Sequence, residues 1–296
     1  MTEDLPPVTI VAACLRDGAG GSPTAVLAEA PLSEAERCRI PGETGTSHAV
    51  FVDTAEPGAP VALRFFTSAG ELPACGHGTV AALAYLAELS PEAEFRAVLR
   101  AGGRAFAGRA VREGAGYAAV FDPGPVALRE PTQAEREGVL PALGLAAGLP
   151  DVRVASVGRE RLLVPVPSRA VLSALTPDQD RLRAACDEAG LLGCYVYAVS
   201  GDRAAARMFA PSIGVPEDIA NANSTACLAA HLAQQGITGL AVDMGDSVGS
   251  PATVIATVEP SPAGPRVQVG GIARIDAPRG GPDEAGGRMG PWARSY

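Results

Sequence analysis

With 296 residues, 47% of them hydrophobic and 19% charged, the chain has the composition of a soluble globular protein large enough for two domains with a core in each. A formal charge of −9 argues against the basic face that nucleic acid or an anionic membrane surface needs, so neither is an expected partner. Every basic residue other than three histidines is arginine, and without lysine no Schiff base can form through a lysine amine.

In chain order, Val8 to Ala13 reads as a first strand and Thr24 to Ala28 as a second, after a Gly20-Gly21-Ser22-Pro23 turn. Ser33 and Glu36 have the spacing of a capping box for a helix running through Arg39, which Pro41 and Gly42 are expected to stop. Thr46-Ser47-His48 then leads into a strand over Ala49 to Val52, with His48 at its entrance. Val61 to Thr67 is a further apolar strand, and Thr79 to Leu89 is a helix so apolar on every side that a sheet should surround it. Between them lie Glu71, Cys75 and His77 in one turn. Gly76 and Gly78 let that turn aim its amides at an anion above the helix start.

Strands follow at Arg96 to Arg100, Ala105 to Val111 and Tyr117 to Phe121, and Asp122-Pro123-Gly124-Pro125 is the expected linker. It divides an N-terminal half, 1–125, from a C-terminal half, 126–277. The second half restarts with a helix from Gln133 to Leu143, strands near Val152 to Val157 and Leu162 to Val166, and helix over much of Arg169 to Glu188. A strand at Cys194 to Val199 precedes Arg207-Met208-Phe209, the end of another apolar run. Glu217 and Asp218 then sit in a polar turn, and Asn221-Ala222-Asn223-Ser224 leads into a helix from Thr225. Strands at Thr253 to Val258 and 266–275 close the chain, the last with the option of returning to the first half, and the Gly- and Pro-rich tail 278–296 reads as disordered. The order strand, acidic turn, apolar helix thus occurs twice, with Thr79, Ala84 and Leu86 spaced as Thr225, Ala230 and Leu232 are, which points to an internal duplication.

The short N-terminal segment MTEDLPPVTIVAA is acidic where a signal peptide is basic, and no apolar run is long enough to cross a bilayer, so the expected location is the cytoplasm. No dinucleotide or Walker fingerprint occurs, which leaves a cofactor-free site built from side chains and helix starts. The histidines His48, His77 and His231 are too dispersed along the chain to suggest a metal site, and the six cysteines lack C-x-x-C spacing. Flanking glycines favour His77 as a site residue, whereas His231, beside Leu228 and Leu232, fits a hydrogen-bonded core or interface position. Cys75 precedes a helix start and is open to two readings, a reactive thiolate or a small buried thiol.

Over nearly its whole length the chain resembles the PhzF-like isomerases of phenazine biosynthesis, relatives of diaminopimelate epimerase. The resemblance rests on Ser22-Pro23-Thr24-Ala25-Val26, Phe66-Thr67 with Glu71-Leu72-Pro73 and Gly76-His77, and Arg207-Met208-Phe209 with Pro211, Gly214-Val215 and Glu217-Asp218, followed by His231-Leu232. It implies an α+β fold of two pseudo-symmetric halves, each a curved sheet wrapped round a central helix, a cleft between them and a homodimer. It also implies an acidic proton-shuttling base where His48 stands here, and active-site roles for His77 and Asp218. An imidazole can take and return a proton near neutrality, so His48, His77 and Asp218 are the expected catalytic residues. Ser47, Glu71, Cys75, Gly76, Gly78, Thr79, Asn221, Ala222, Asn223 and Ser224 are the expected substrate contacts. The epimerase relatives face two cysteines across one carbon; Cys75 matches the first position, but Ala220 falls near the second and Cys227 two helical turns beyond it. The expected reaction is therefore a proton and double-bond shift in a small unsaturated carboxylic or imino acid. Amino-acid epimerisation, or a silent small-acid binding protein, are the alternatives. The lysine-free, Ala- and Gly-rich composition fits an actinomycete, in which relatives serve antibiotic pathways such as those supplying alkylproline precursors.

Overall fold

The computed structural model describes residues 7–54, 59–261 and 265–276, which divide into two compact units. The first comprises 7–13, 22–54, 59–120 and 272–276, and the second 14–21, 121–261 and 265–271. The expected disordered tail lies outside the described residues.

The first unit contains β1 (Thr9–Ala13), β2 (Ser22–Ala28), α1 (Glu34–Thr44), β3 (His48–Asp53), β4 (Val61–Thr67), β5 (Gly70–Leu72), α2 (Gly76–Leu89), β6 (Glu94–Ala101), β7 (Arg104–Glu113) and β8 (Gly116–Phe121). Along its sheet β1 pairs antiparallel with β2, β2 parallel with β3, β3 antiparallel with β4, β4 parallel with β6, and β6 antiparallel with β7. β5 folds back on β4 as a short hairpin. The long crossover after β5 is α2, which packs against β1, β2, β3, β4, β6 and β7. Val80, Ala81, Ala82, Leu83 and Ala84 are all fully buried, so the absence of a polar face on this helix is explained by strands on its several sides. Burial of Leu83 alone is worth about 1.5–3 kcal/mol.

The second unit contains β9 (Ala127–Arg129), α3 (Gln133–Ala142), β10 (Arg153–Ser156), β11 (Glu160–Pro165), α4 (Arg169–Ala174), α5 (Gln179–Ala189), β12 (Cys194–Ser200), β13 (Arg203–Ala210), β14 (Val215–Asp218), α6 (Ala222–Ala233), β15 (Gly239–Met244), β16 (Ala252–Glu259) and β17 (Arg266–Ile275). Its sheet repeats the first one step for step. β10 is antiparallel to β11, β11 parallel to β12, β12 antiparallel to β13, β13 parallel to β15, and β15 antiparallel to β16. The short β14 folds back on β13 as β5 does on β4, and α6 occupies the place of α2. The duplication inferred from a few Ala and Leu positions is thus carried by the whole strand order. β17 pairs through residues 266–270 with β16 and through 273–275 with β1.

Local chemistry alters several expected boundaries. The Ser33 capping box is present, but α1 runs through Pro41 and Gly42 to Thr44. Pro41 is buried, Thr44 Oγ1 donates to the Ile40 carbonyl at 2.7 Å, and the Thr46 amide donates to the Pro41 carbonyl at 2.9 Å, so the last turn is held despite the proline. The helix ends instead at Gly45, whose φ of +67° suits glycine. Both central helices start three residues earlier than expected, at Gly76 and Ala222, because Cys75 and Asn221 act as N-caps. Glu71 and Asp218, expected in turns, lie on the short strands β5 and β14.

Candidate active site

In the first unit the strand β3 and the start of α2 bring together residues 29 positions apart. His48 opens β3, where it pairs with Thr24 of β2, and His77 is the second residue of α2. Both are buried, at 4% and 2% exposure, and His48 Nδ1 lies 3.0 Å from His77 Nε2 with the rings edge to face. Ser47 Oγ is 3.0 Å from the same His48 nitrogen and 3.2 Å from Ser22 Oγ. One hydrogen between the two imidazoles satisfies the 3.0 Å contact, and two imidazolium charges could not coexist there. Burial first, and the neighbouring His77 second, push the His48 pKa well below 6.5. The ring is therefore neutral at pH 7, in its proton-accepting form, and does not titrate near neutrality as its residue type alone suggests.

The sign of the pH effect follows. The unfolded chain binds a proton at His48 near pH 6.5 while the folded protein does not, so this group's contribution is complete above that pH and is lost as pH falls towards the depressed folded value. Urea unfolding at pH 7.5 and 5 should show acid destabilisation, and His48→Asn should flatten the slope by up to about 1.4 kcal/mol per pH unit. His231, whose pKa burial also lowers, adds a slope of the same sign that the variant leaves in place.

Cys75 sits beside this pair. Its Sγ is 3.4 Å from His77 Nε2 and accepts the Gly78 amide at 3.4 Å, while its carbonyl accepts Thr79 Oγ1–H at 2.8 Å. A Cβ on Gly78 would meet the Phe65 ring at 3.0 Å and Cys75 Sγ at 3.1 Å, which explains the glycine by packing. Cys75→Ala should leave turnover within about tenfold of the parent. The lost cap should cost about 1 kcal/mol of stability, with Cys75→Ser in between; steady-state rates and denaturant midpoints check both. Glu71 is engaged elsewhere, since Arg64 Nε and Nη2 donate to its two oxygens at 2.9 and 2.6 Å, and that hydrogen bonding lowers its pKa.

The expectation that the histidines are too dispersed for a shared ion is corrected for two of them. Donor atoms of His48, Cys75 and His77 lie within 4.8 Å of one another, a two-imidazole, one-thiol set of a kind that takes zinc. The third, His231, lies buried in the last turn of α6; contrary to expectation, neither of its ring nitrogens has a hydrogen-bond partner among the described residues.

In the second unit Asp218 ends β14, buried at 8% exposure, and accepts Asn221 Nδ2–H at 2.9 Å. Asn221 Oδ1 in turn accepts the Ser224 amide at 2.9 Å, and Thr225 Oγ1 is 2.7 Å from the Tyr195 hydroxyl. Ala222 and Asn223 are the first two residues of α6, so their amides have no acceptor within the helix. Cys227, in α6, and Ala220, near which the resemblance places the second thiol, are both fully buried. Sequence reading passed over Arg161, which lies beside Ser224; a lone arginine opening the apolar run Arg161-Leu162-Leu163-Val164 was the available signal.

A family model described as phenazine biosynthesis-like protein, PhzC-PhzF, matches residues 11–277. The chain belongs to that family. An uncharacterized isomerase of Deinococcus radiodurans is 30% identical over 290 residues, covering 88% of this chain and 89% of that protein. A trans-2,3-dihydro-3-hydroxyanthranilate isomerase of Pseudomonas fluorescens is 30% identical over 244 residues, covering 81% and 85%. Among solved structures, a predicted epimerase of Pseudomonas aeruginosa superposes with a TM-score of 0.78 at 24% identity, covering 92% of this chain and 98% of its own, a likeness of fold. This PhzF-family chain is thus an isomerase with the diaminopimelate epimerase-like α+β fold. Among the described residues no helix is long and apolar enough to cross a membrane.

Proposed function

We propose that this PhzF-family protein moves a proton, and with it a double bond, within a small unsaturated carboxylic or imino acid, using His48 as the shuttling base. The observation that supports this most is the buried, neutral His48 joined to His77 at 3.0 Å. His48 Nδ1 is occupied by Ser47 and His77, so Nε2 is the nitrogen that meets the substrate. For Nε2 to accept a proton, Nδ1 must hold the ring hydrogen and donate it to His77 Nε2 or Ser47 Oγ. The C–H proton then moves to Nε2 as its electron pair enters the conjugated system. The imidazolium, disfavoured by burial, returns the proton to a second carbon on the same face. Amides at Gly76 and His77, at the start of α2, face the charge that spreads towards the acid group.

No cofactor enters this scheme, and the protein works as a cytoplasmic homodimer in secondary metabolism, with alkylproline antibiotic precursors one candidate setting. Incubation with a chelator should accordingly leave turnover unchanged, measured against the untreated enzyme. The decisive experiment offers trans-2,3-dihydro-3-hydroxyanthranilate and cyclic imino acids in deuterium oxide and follows them by NMR. Deuterium at the new C–H position with a moved double bond is the expected result. Exchange at an α-carbon with inversion would establish epimerisation instead, and binding without exchange would establish a silent binding protein.

A further inference from the structure

Three metal-ligating side chains meet at one point in the first unit. His48 Nδ1 lies 3.0 Å from His77 Nε2, and Cys75 Sγ lies 3.4 Å from the same His77 nitrogen. One donor atom from each residue falls within 4.8 Å of the other two, and among the described residues no other three His, Cys, Asp or Glu side chains meet that condition. All three are buried, so the cluster is held by the start of β3 and by the cap and first turn of α2 instead of by surface chains.

The spacing suits a single ion. Zinc holds imidazole nitrogen at about 2.0–2.1 Å and thiolate sulfur at about 2.3 Å in a tetrahedron, which sets the ligand atoms roughly 3.3–3.6 Å apart. Two edges of the triangle, 3.0 and 3.4 Å, are close to that, and the third has to close by no more than about 1 Å. The surroundings accept the exchange. The Gly78 amide already donates to Cys75 Sγ at 3.4 Å, as it would to a thiolate ligand, and Thr79 Oγ1–H holds the Cys75 carbonyl at 2.8 Å. When a metal takes His48 Nδ1, Ser47 Oγ keeps Ser22 Oγ at 3.2 Å and the Pro23 carbonyl at 3.4 Å as partners. Thiolate with imidazole selects zinc, or cobalt in its place, over magnesium and calcium, which take oxygen ligands.

We propose that His48, Cys75 and His77 form a zinc site, and that zinc bound there reversibly inhibits the isomerase. The inhibition rests on the reading of His48 as the base; the site does not. On binding, the Cys75 thiol proton passes to solvent and the sulfur bonds to the ion, while His48 Nδ1 and His77 Nε2 each give it a lone pair. The ring hydrogen of His48 must then sit on Nε2, which turns the proton-accepting nitrogen into a donor. Zinc thus fixes the tautomer opposite to the one that catalysis uses.

The test titrates cobalt(II), and then zinc, into the reduced full chain. One equivalent of cobalt should give the visible bands of a tetrahedral ion and a near-ultraviolet thiolate-to-cobalt charge-transfer band, both removed by one equivalent of zinc and neither by magnesium. Cys75→Ala should lose the charge-transfer band and bind zinc at least about tenfold more weakly, since loss of an outer-sphere partner alone costs about 10–100-fold. Cys38→Ala, which removes a half-buried thiol outside the cluster, should keep both. The parent chain also decides without any variant: in ¹⁵N spectra of the histidine rings, zinc should shift His48 Nδ1 and His77 Nε2 and leave His231 in place. No charge-transfer band in the parent, a band that survives Cys75→Ala, or unmoved His48 and His77 nitrogens would overturn the site. Turnover should fall in proportion to zinc occupancy and return on chelation. Zinc seated on the two histidines with turnover unchanged or raised would leave the site standing, and would overturn both the inhibition and the role of His48 as base.

Discussion

His48→Ala is expected to lower turnover by a factor of about 100 or more while leaving the fold intact, the scale that loss of a positioned general base produces. The substitution removes the proposed shuttling base and leaves His77 without its 3.0 Å partner. His77 cannot simply take over, because its Nε2 faces into the cluster, between His48 Nδ1 and Cys75 Sγ. In deuterium oxide the variant should also fail to wash deuterium into recovered substrate, which separates loss of proton transfer from loss of binding. His48→Glu places an acidic base at this position, as the family resemblance implies, and should recover part of the rate. Near-normal turnover in His48→Ala would remove His48 from the mechanism.

The largest stability effect is expected at Arg207. This residue ends the approach to Asp218, since β13 and β14 pair Met208 with Asp218. Arg207 Nε and Nη2 grip the two oxygens of Glu217 at 2.9 and 2.7 Å, and its Nη1 donates to the carbonyls of Leu172 and Leu175 at 3.1 and 2.7 Å. The guanidinium also lies 4.8 Å from the centre of the Phe209 ring. Both charged side chains are nearly buried, at 12% and 10% exposure. Arg207→Met leaves Glu217 with Ser247 as its remaining partner and should cost about 3–5 kcal/mol, the effect of stranding one half of a buried pair. At roughly 2–4 °C per kcal/mol for a domain of this size, the melting temperature should fall by about 6–20 °C. The double variant Arg207→Met/Glu217→Leu should regain much of that loss, because it strands no charge. Calorimetry of the two variants checks this; equal losses would show that the carbonyl contacts, not the ion pair, dominate.

Sequence periodicity located most strands and all the long helices, because their signals are local. Alternation marks β7 and β16, and the unbroken apolar run from Val80 to Ala84 marks a helix that strands enclose. The short strands β5, β9 and β14 were not legible, since three or four residues carry no period and depend on a partner strand for their hydrogen bonds. Pro41 shows a local stop signal overridden by burial and by Thr44. At the site, His77 was recognisable from its glycines, but the His48–His77 contact depends on β3 lying beside the start of α2. The lowered His48 pKa likewise comes from burial that no short motif encodes. Arg161 was invisible for a related reason: a strand arginine reads as solvent-facing until the tertiary fold buries it.

β17 is the last described strand, yet it completes a sheet that the first strand begins: it pairs with β16 and, at Ala273, Arg274 and Ile275, with Ala13, Ala12 and Val11 of β1. During synthesis β1 emerges well before β17, with nearly all of the second unit between them. Until then β1 has β2 on one side and an open edge on the other, a template for pairing with other chains. The first unit, although most of it precedes the second, therefore cannot close its sheet before the second unit has been made. So high a contact order makes closure slow and gives chaperones, or aggregation, time to act on the waiting edge.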